Sequence, residues 1–462
     1  MTPLDLDHRM TPEHSIDPLA GTARLPVVVP VAVISFFYVS ILEYALPLYF
    51  GALSDAQEAV GGSYPADIWS TLAKYQVTPW IIGPLLAGLL SRRYGERVIW
   101  SGALLGKVAV PLLLAVSPEP HLIKWIALWQ GFTGALMWIA GVSLVQMVPP
   151  GKKGLSNGLM MTSVGVGSVL GPLAGRVLIY RGELSGLATG GSWSDFWAKL
   201  FSFEPMRTTP AAADFQMIFW LLTGSTLVCG LLVGRWGQRP GSFDQHDARD
   251  WSQTWKDVNQ LIRTPTFWAL VLSMCVLGGP VFQASNQFLP YRAEELGLKS
   301  GAADHGWIWL QLLKTLMWIP GGLAVGLLAG RRAPGIAAVI MLSVFSVTAW
   351  GIGESRTAWQ IFICVAMFEF VRQFMRWSHA GYLSEHMPSD LRATAIGCSI
   401  TFSGLGSVIY AWVADHFWNP AASGFDASNP FAAAALLGLA GAVGLVVFDR
   451  WIPIRREAEE VE

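Results

Sequence analysis

Twelve predominantly apolar stretches, six in each half of a 462-residue chain, limit what this sequence can become. Each runs for about 20 residues, the length at which a helix rising ~1.5 Å per residue crosses ~30 Å of hydrocarbon. They cover roughly 27–50, 69–91, 98–117, 122–147, 155–180 and 214–235, then 266–290, 305–330, 335–353, 357–383, 392–417 and 429–450. A helix satisfies its backbone polar groups internally, so helices are the form in which such stretches enter a bilayer. Composition agrees, because 53% hydrophobic and only 14% charged residues leave too little polar surface to solvate a globule of this size. A soluble helical protein would need a polar stripe along every helix, and long segments here have none. The expectation is an all-α polytopic membrane protein of twelve transmembrane helices.

The chain also repeats itself. Residues 80–93 meet residues 318–331 at an offset of 238 with eight identities in fourteen positions, among them Trp80 with Trp318, Gly83 with Gly321 and Gly88 with Gly326. At an offset of 239, Gly158, Thr162, Gly165, Gly167 and Ser168 meet Gly397, Thr401, Gly404, Gly406 and Ser407. Two related apolar halves that rock about a site between them are the build of a transporter. The expected organisation is a tail at 1–26, six-helix bundles at 27–235 and 266–450, a linker at 236–265 and a second tail at 451–462.

Charge in the short loops orients the bundle. Arg92, Arg93 and Arg97 after span two, Lys152 and Lys153 after span four, Arg331 and Arg332 after span eight, and Arg455 and Arg456 share one side. The positive-inside rule makes that side cytoplasmic and puts both termini inside a plasma membrane, the inner membrane of the cell. The first 25 residues lack the basic start and apolar core of a cleavable signal. Cys229, Cys275, Cys364 and Cys398 lie inside apolar segments and read as small hydrophobes without disulfides. The net charge of -1 says nothing about nucleic acid; with no basic arm and no zinc-type cysteine spacing in the sequence, no nucleic-acid partner is expected. No Gly-x-x-x-x-Gly-Lys-[Ser/Thr] run marks an ATP site. No metal or cofactor is implied, and neither is an enzyme, since no loop carries a catalytic cluster; a polytopic enzyme or receptor is the reading from another class.

Function is then sought among charges that lipid rejects. An ionised side chain at mid-membrane costs roughly 2.5–3.5 kcal/mol, so clustered charges line a cavity or pair with each other. Span ten carries Glu369, Arg372, Arg376 and His379, which at about 100° per residue fall within an arc of about 80°. Glu369 and Arg372 stand one turn apart, so the face either lines a cavity or holds a structural ion pair. Span one carries one acid, Glu43, four residues before Pro47. A desolvated carboxylate binds a proton more readily than one in water, as a proton carrier requires. Aligning Leu46-Pro47 with Leu289-Pro290 sets Asn286 at the place corresponding to Glu43. Lys314 on span eight and Arg176 on span five are further candidates, and Lys107 on span three is expected to snorkel to an interface. Tyr38, Trp129 and Trp138 are candidates to stack on a flat ligand.

From about residue 27 to 450 the sequence resembles the major facilitator superfamily of secondary transporters. The loop after span two is similar to that family's Gly-x-x-x-Asp-Arg-x-Gly-x-Arg signature through Gly88, Arg93, Gly95 and Arg97, with Arg92 at the acidic position. Span five, with Gly158, Gly167, Gly171, Pro172 and Gly175, resembles the motif of proton-coupled efflux antiporters, with Arg176 replacing its last glycine. Gln130-Gly131 with Gly134 on span four is similar to the family's third motif. A fainter likeness to the nucleoside:proton symporters rests on Gln283 and Asn286 in span seven, Gln311 and Lys314 in span eight, and Glu369 in span ten.

The resemblance implies a cavity formed by spans one, four, seven and ten, and transport of a small organic solute by alternating access. Protons couple through Glu43 or Glu369, while Arg372, Arg376, Gln283, Asn286, Gln311, Lys314, Gln130, Trp129 and Tyr38 contact the substrate. Gly88, Arg93, Gly95, Arg97, Gly167, Gly171 and Pro172 serve gating, with the glycines of spans five and eleven forming the close contacts about which the halves move. Efflux antiport leads, and uptake of a polar solute such as a nucleoside or sugar is the alternative. The partners are the solute, protons and the lipid bilayer around a monomer.

Overall fold

The structure, a computed structural model, describes residues 23–58, 65, 67–116, 119–146, 153–184, 193–200, 206, 209–238, 255–256, 259, 262–263, 267–268, 271–300, 303–321, 334–386, 392–422 and 424–451. The tail at 1–22, most of the linker and the residues after 451 lie outside them, as do 322–333 and, for side chains, 373–397.

Within the described residues, helices occupy all twelve expected spans. Span one is the helix Leu25–Glu58, two turns longer than its apolar run, so Asp55 and Glu58 extend it rather than belonging to a loop. Spans four, five and six are Pro120–Gln146, Lys153–Ile179 and Gln216–Trp236. Spans nine to twelve are Pro334–Glu354, Ala358–His386, Arg392–Phe417 and Ser428–Trp451. Six helical stretches among the described residues are long and apolar enough to cross a membrane, beginning with Leu25–Glu58 and ending with Ser428–Val447.

Four spans are broken, and proline explains each break. Proline lacks the N–H that would bond the carbonyl four residues earlier. Pro79 sits in the 3₁₀ turn Thr78–Ile81, which separates Ile68–Val77 from Gly83–Tyr94 in span two. Pro111 frees the carbonyl of Lys107, where span three divides into Glu96–Lys107 and Ala109–Ala115. Pro280 follows the π-helical turn Val271–Leu277 at the start of Gly279–Glu295 in span seven. Pro320 frees the carbonyl of Leu316, where Trp307–Leu316 of span eight ends. Between spans seven and eight, Lys299–Ser300 and Ala303–Asp304 pair as a minimal antiparallel hairpin.

Packing follows the repeat. Span one lies along span five as its counterpart span seven lies along span eleven, and span nine lies along span twelve as its counterpart span three lies along span six. The halves meet where span two contacts span eleven and span eight contacts span five. A twofold operation that exchanges the halves also exchanges these two contacts. The glycines mark it: a Cβ at Gly165 would come within 2.3 Å of Ile319, and one at its repeat equivalent Gly404 within 2.4 Å of the Trp80 carbonyl oxygen.

The other small residues of span five have a different partner from the one expected. A Cβ at Gly167 would stand 2.1 Å from the carbonyl oxygen of Val33, and one at Gly171 2.7 Å from the backbone nitrogen of Ile41. Both glycines press span five on span one of the same half, so they hold a half together and do not lie between halves. Gly88 has open space where a Cβ would be, so no close approach demands it. Gly95 turns the chain between spans two and three at φ 82°, a conformation that favours glycine. Beside it, the exposed guanidinium of Arg93 lies over the Tyr94 ring.

Candidate central cavity

The four broken spans and spans one, four, ten and eleven surround a cavity of about 320 Å³, in the range of small-molecule sites. Every break borders it: Trp80 in the span-two turn, Lys107 at the end of the first segment of span three, Phe282 and Gln283 after the span-seven turn, and Lys314 and Trp318 around the break in span eight. Interrupted helices at mid-membrane are how transporters present polar groups without exposing backbone to lipid.

Two ion pairs stand at the cavity. Lys314 Nζ, nearly inaccessible, lies 2.8 Å from Glu43 Oε2, so span eight of one half is tied to span one of the other. Glu43 therefore has the partner that its isolation in span one did not suggest, and its side chain remains 27% accessible from the cavity. Arg372 Nη1 donates to Glu369 Oε1 at 2.9 Å within span ten. Glu369 is wholly buried and also accepts from Trp318 Nε1 at 3.0 Å. The Arg372 guanidinium faces the Phe282 and Trp318 rings at 5.7 and 5.6 Å and lines the cavity.

The amides gather where the sequence placed them. Gln130, Gln283, Asn286 and Gln311 all line the cavity. Gln283 Nε2 donates to Gln287 Oε1 at 3.2 Å, while the side-chain oxygens of Gln130 and Gln311 are buried with no hydrogen-bond partner. The aromatic candidates divide. Trp138 lines the cavity, edge-on to Phe36 at 5.4 Å. Trp129 is 44% exposed outside it and donates to the carbonyl of Gly106 at 2.6 Å, because span four is apolar on every side and its pattern does not say which tryptophan faces inward. Tyr38 is buried behind the cavity with its ring beneath Lys107. Arg176 is likewise away from the cavity, where it donates to the carbonyl of Leu200 at 2.9 Å and anchors the helix Trp193–Leu200. The side chains of Arg376 and His379 lie outside the described residues.

A set of contacts between halves was not anticipated. The face bearing the loop between spans one and two is termed outer, following the loop charges. Toward it, Tyr44 donates its hydroxyl to Asp304 at 2.7 Å, and Trp307 Nε1 donates to the Tyr44 carbonyl at 3.1 Å. Trp69 Nε1 donates to the Asn286 carbonyl at 3.1 Å. Lys74 pairs with Asp415, Ser70 donates to the same carboxylate at 2.9 Å, and Gln287 donates to Ser70 at 2.7 Å. These bonds join the halves toward the outer end of the cavity. Lys74 and Asp415 are charges near the ends of apolar spans, the signal that would have found them, although nothing in sequence pairs residues 341 positions apart.

Related proteins agree with this architecture. A profile of the Major Facilitator Superfamily matches residues 28–411. The chain belongs to that family. The chain is 32% identical to the class C tetracycline resistance protein of Escherichia coli over 107 residues, 23% of this chain and 27% of that relative. It is 28% identical to the enterobactin exporter EntS of Citrobacter koseri over 176 residues, 33% of this chain and 41% of that protein. Both alignments span well under half of the relatives' lengths. The crystal structure of the nucleoside transporter NupG superimposes with a TM-score of 0.61 at 10% identity, covering 91% of this chain and 99% of that one, which establishes the fold. The protein is a membrane-embedded transporter of the superfamily and not an enzyme.

Proposed function

We propose that the protein exports a small organic solute in exchange for protons, and that Glu43 is the proton carrier. The observation that carries this reading is the Glu43–Lys314 pair, which joins the halves on the outer side of the cavity. Opening the outer end separates span one from span eight and breaks that pair. The freed carboxylate then takes a proton from outside. Re-forming the pair with Lys314 on closure requires that proton to leave, and the only way out is the inner side. One proton thus moves inward for each return of the empty carrier, while the solute leaves through the outer opening. Glu369 is a poorer carrier, since it is wholly buried and both its oxygens are engaged. Arg372, Gln130, Gln283, Asn286, Gln311 and Lys314 are assigned to the solute, with Arg376 expected beside them on span ten.

Export is supported by the span-five motif and by the names of the two relatives, a resistance protein and an exporter. The loop charges support an orientation with both termini cytoplasmic, and the reading takes the protein to act as a monomer in the plasma membrane. Uptake of a polar solute is the second reading, favoured by five amides around one cavity and by the fold shared with a nucleoside transporter.

Reconstituted vesicles separate the two. Inside-out vesicles with an acidic interior should accumulate tetracycline, and Glu43→Gln should bind it and fail to accumulate it, because glutamine keeps the shape without the titration. Undiminished accumulation by Glu43→Gln removes Glu43 from the mechanism. Accumulation of uridine by right-side-out vesicles in acidic medium, with no export of tetracycline, replaces the proposal with symport.

A further inference from the structure

Lys107 sits at a place the chain has prepared. Pro111 interrupts span three so that Lys107 ends the helical segment Glu96–Lys107, where carbonyls without partners favour a cation. Its ammonium stands 4.5 Å from the centroid of the Tyr38 ring, a cation–π contact, and 4.0 Å from Met137 Sδ. With 3% exposure and a position in the cavity wall, it does not snorkel to an interface.

The charges around the cavity leave it alone. Among the described lining residues the ionisable ones are Glu43, Lys107, Lys314 and Arg372. Glu43 neutralises Lys314, and Glu369 neutralises Arg372 from behind. No carboxylate among the described residues pairs with Lys107. A buried charge is ordinarily paired, and at membrane depth an ionisable side chain marks a substrate or ion path.

A second, independent observation points to a ligand. Arg372 Nε, Ser285 Oγ and the side-chain oxygens of Gln130 and Gln311 are buried polar atoms without partners, all on residues that line the same cavity. Each of these residues is more than nine-tenths buried. Trp80, Trp138, Trp318 and Phe36 supply aromatic wall.

We propose that the transported solute is a flat aromatic anion whose carboxylate, or equivalent anionic group, is bound by Lys107. This rests on the reading of the cavity as the solute site, and on neither the direction of transport nor its coupling. An anion completes the charge balance that the protein leaves open. Arg372 Nε donates to the same solute, the glutamine oxygens accept from its hydroxyl or amino groups, and the rings cover its faces.

The test is equilibrium binding to the purified full chain of three probes with one ring system: 2-naphthoate, 2-naphthamide and 2-naphthylmethylammonium. The wild type is expected to bind the carboxylate at least tenfold more tightly than the amide, and the ammonium least. Lys107→Gln should abolish the preference for carboxylate over amide, and Lys107→Arg should keep it. Equal binding of carboxylate and amide by the wild type, preference for the ammonium, binding of none of the three, or a preference unchanged in Lys107→Gln each overturns the proposal. Should Lys107→Gln not fold, the wild-type order among the three probes still decides. Proton coupling is read separately in vesicles with Glu43→Gln, so an anion preference without coupling, or coupling without the preference, shows which of the two proposals has failed.

Discussion

Glu43–Lys314 and Glu369–Arg372 are two carboxylate–cation pairs at one cavity, closed at nearly the same distance, 2.8 and 2.9 Å. Their places in the fold differ. Glu369 and Arg372 are three residues apart on one helix, so no motion of the halves changes their separation. Glu43 and Lys314 are 271 residues apart and belong to different halves, so any motion that parts span one from span eight breaks them. The Glu369 side chain is inaccessible and that of Glu43 is 27% accessible, so only the second is within reach of a proton in cavity water. Similar Coulomb attraction therefore serves two ends. One pair fixes a guanidinium in a wall, and the other, in the proposed mechanism, ties conformation to protonation.

The largest expected effect breaks the fixed pair. Glu369→Ala leaves the Arg372 guanidinium buried without its counter-charge, a loss on the order of 3–5 kcal/mol, which should appear as a marked fall in Tm of the purified protein. Replacing both partners, Glu369→Ala with Arg372→Met, should recover most of that loss, because no charge is then stranded. A single variant as stable as wild type would mean that the pair contributes nothing and that Arg372 finds its counter-charge elsewhere.

A smaller effect sharpens the role of the contacts around the movable pair. Asp415→Asn weakens the tie to Lys74 at the outer end and should cost the closed state about 1 kcal/mol, roughly a fivefold rise in the open population. Faster hydrogen exchange in residues 68–77, with Tm nearly unchanged, is the expected readout. No change in exchange would show that the Lys74–Asp415 tie does not hold the outer end.

The smallest effect is at Trp129. Trp129→Phe removes the bond to the Gly106 carbonyl at a half-exposed site and should cost about 1 kcal/mol or less, leaving affinity for any solute intact. A tenfold loss of binding would return Trp129 to the cavity.

Much of the fold was written in local pattern. Runs of about 20 apolar residues announce spans, and the offsets of 238 and 239 announce two halves. The Glu369–Arg372 pair follows from three-residue spacing on one helix. The Glu43–Lys314 pair has no such signature, because its partners are joined only when the halves dock. Span five shows the same limit, since glycine spacing marks a face that permits close approach but does not name the neighbour, and the neighbour of Gly167 and Gly171 is span one of the same half. Lys107 looked like a chain able to reach an interface because sequence carries its length and not its burial. Spans four and nine are apolar all round, so no stripe separates cavity from lipid, and Trp129 and Trp138 were indistinguishable until the helix was placed.

The central claim, that protonation of Glu43 releases a tie between the halves, is tested most directly by the distance across the outer end. Spin labels at positions 58 and 354, both exposed at the outer ends of spans one and nine, read that distance by pulsed electron resonance in a cysteine-free background. In the wild type the long-distance population should grow as pH falls, because a protonated Glu43 no longer holds Lys314. Glu43→Gln should show the long distance at every pH, with the pH dependence gone. A distance distribution that responds to pH in Glu43→Gln as it does in the wild type would contradict the account.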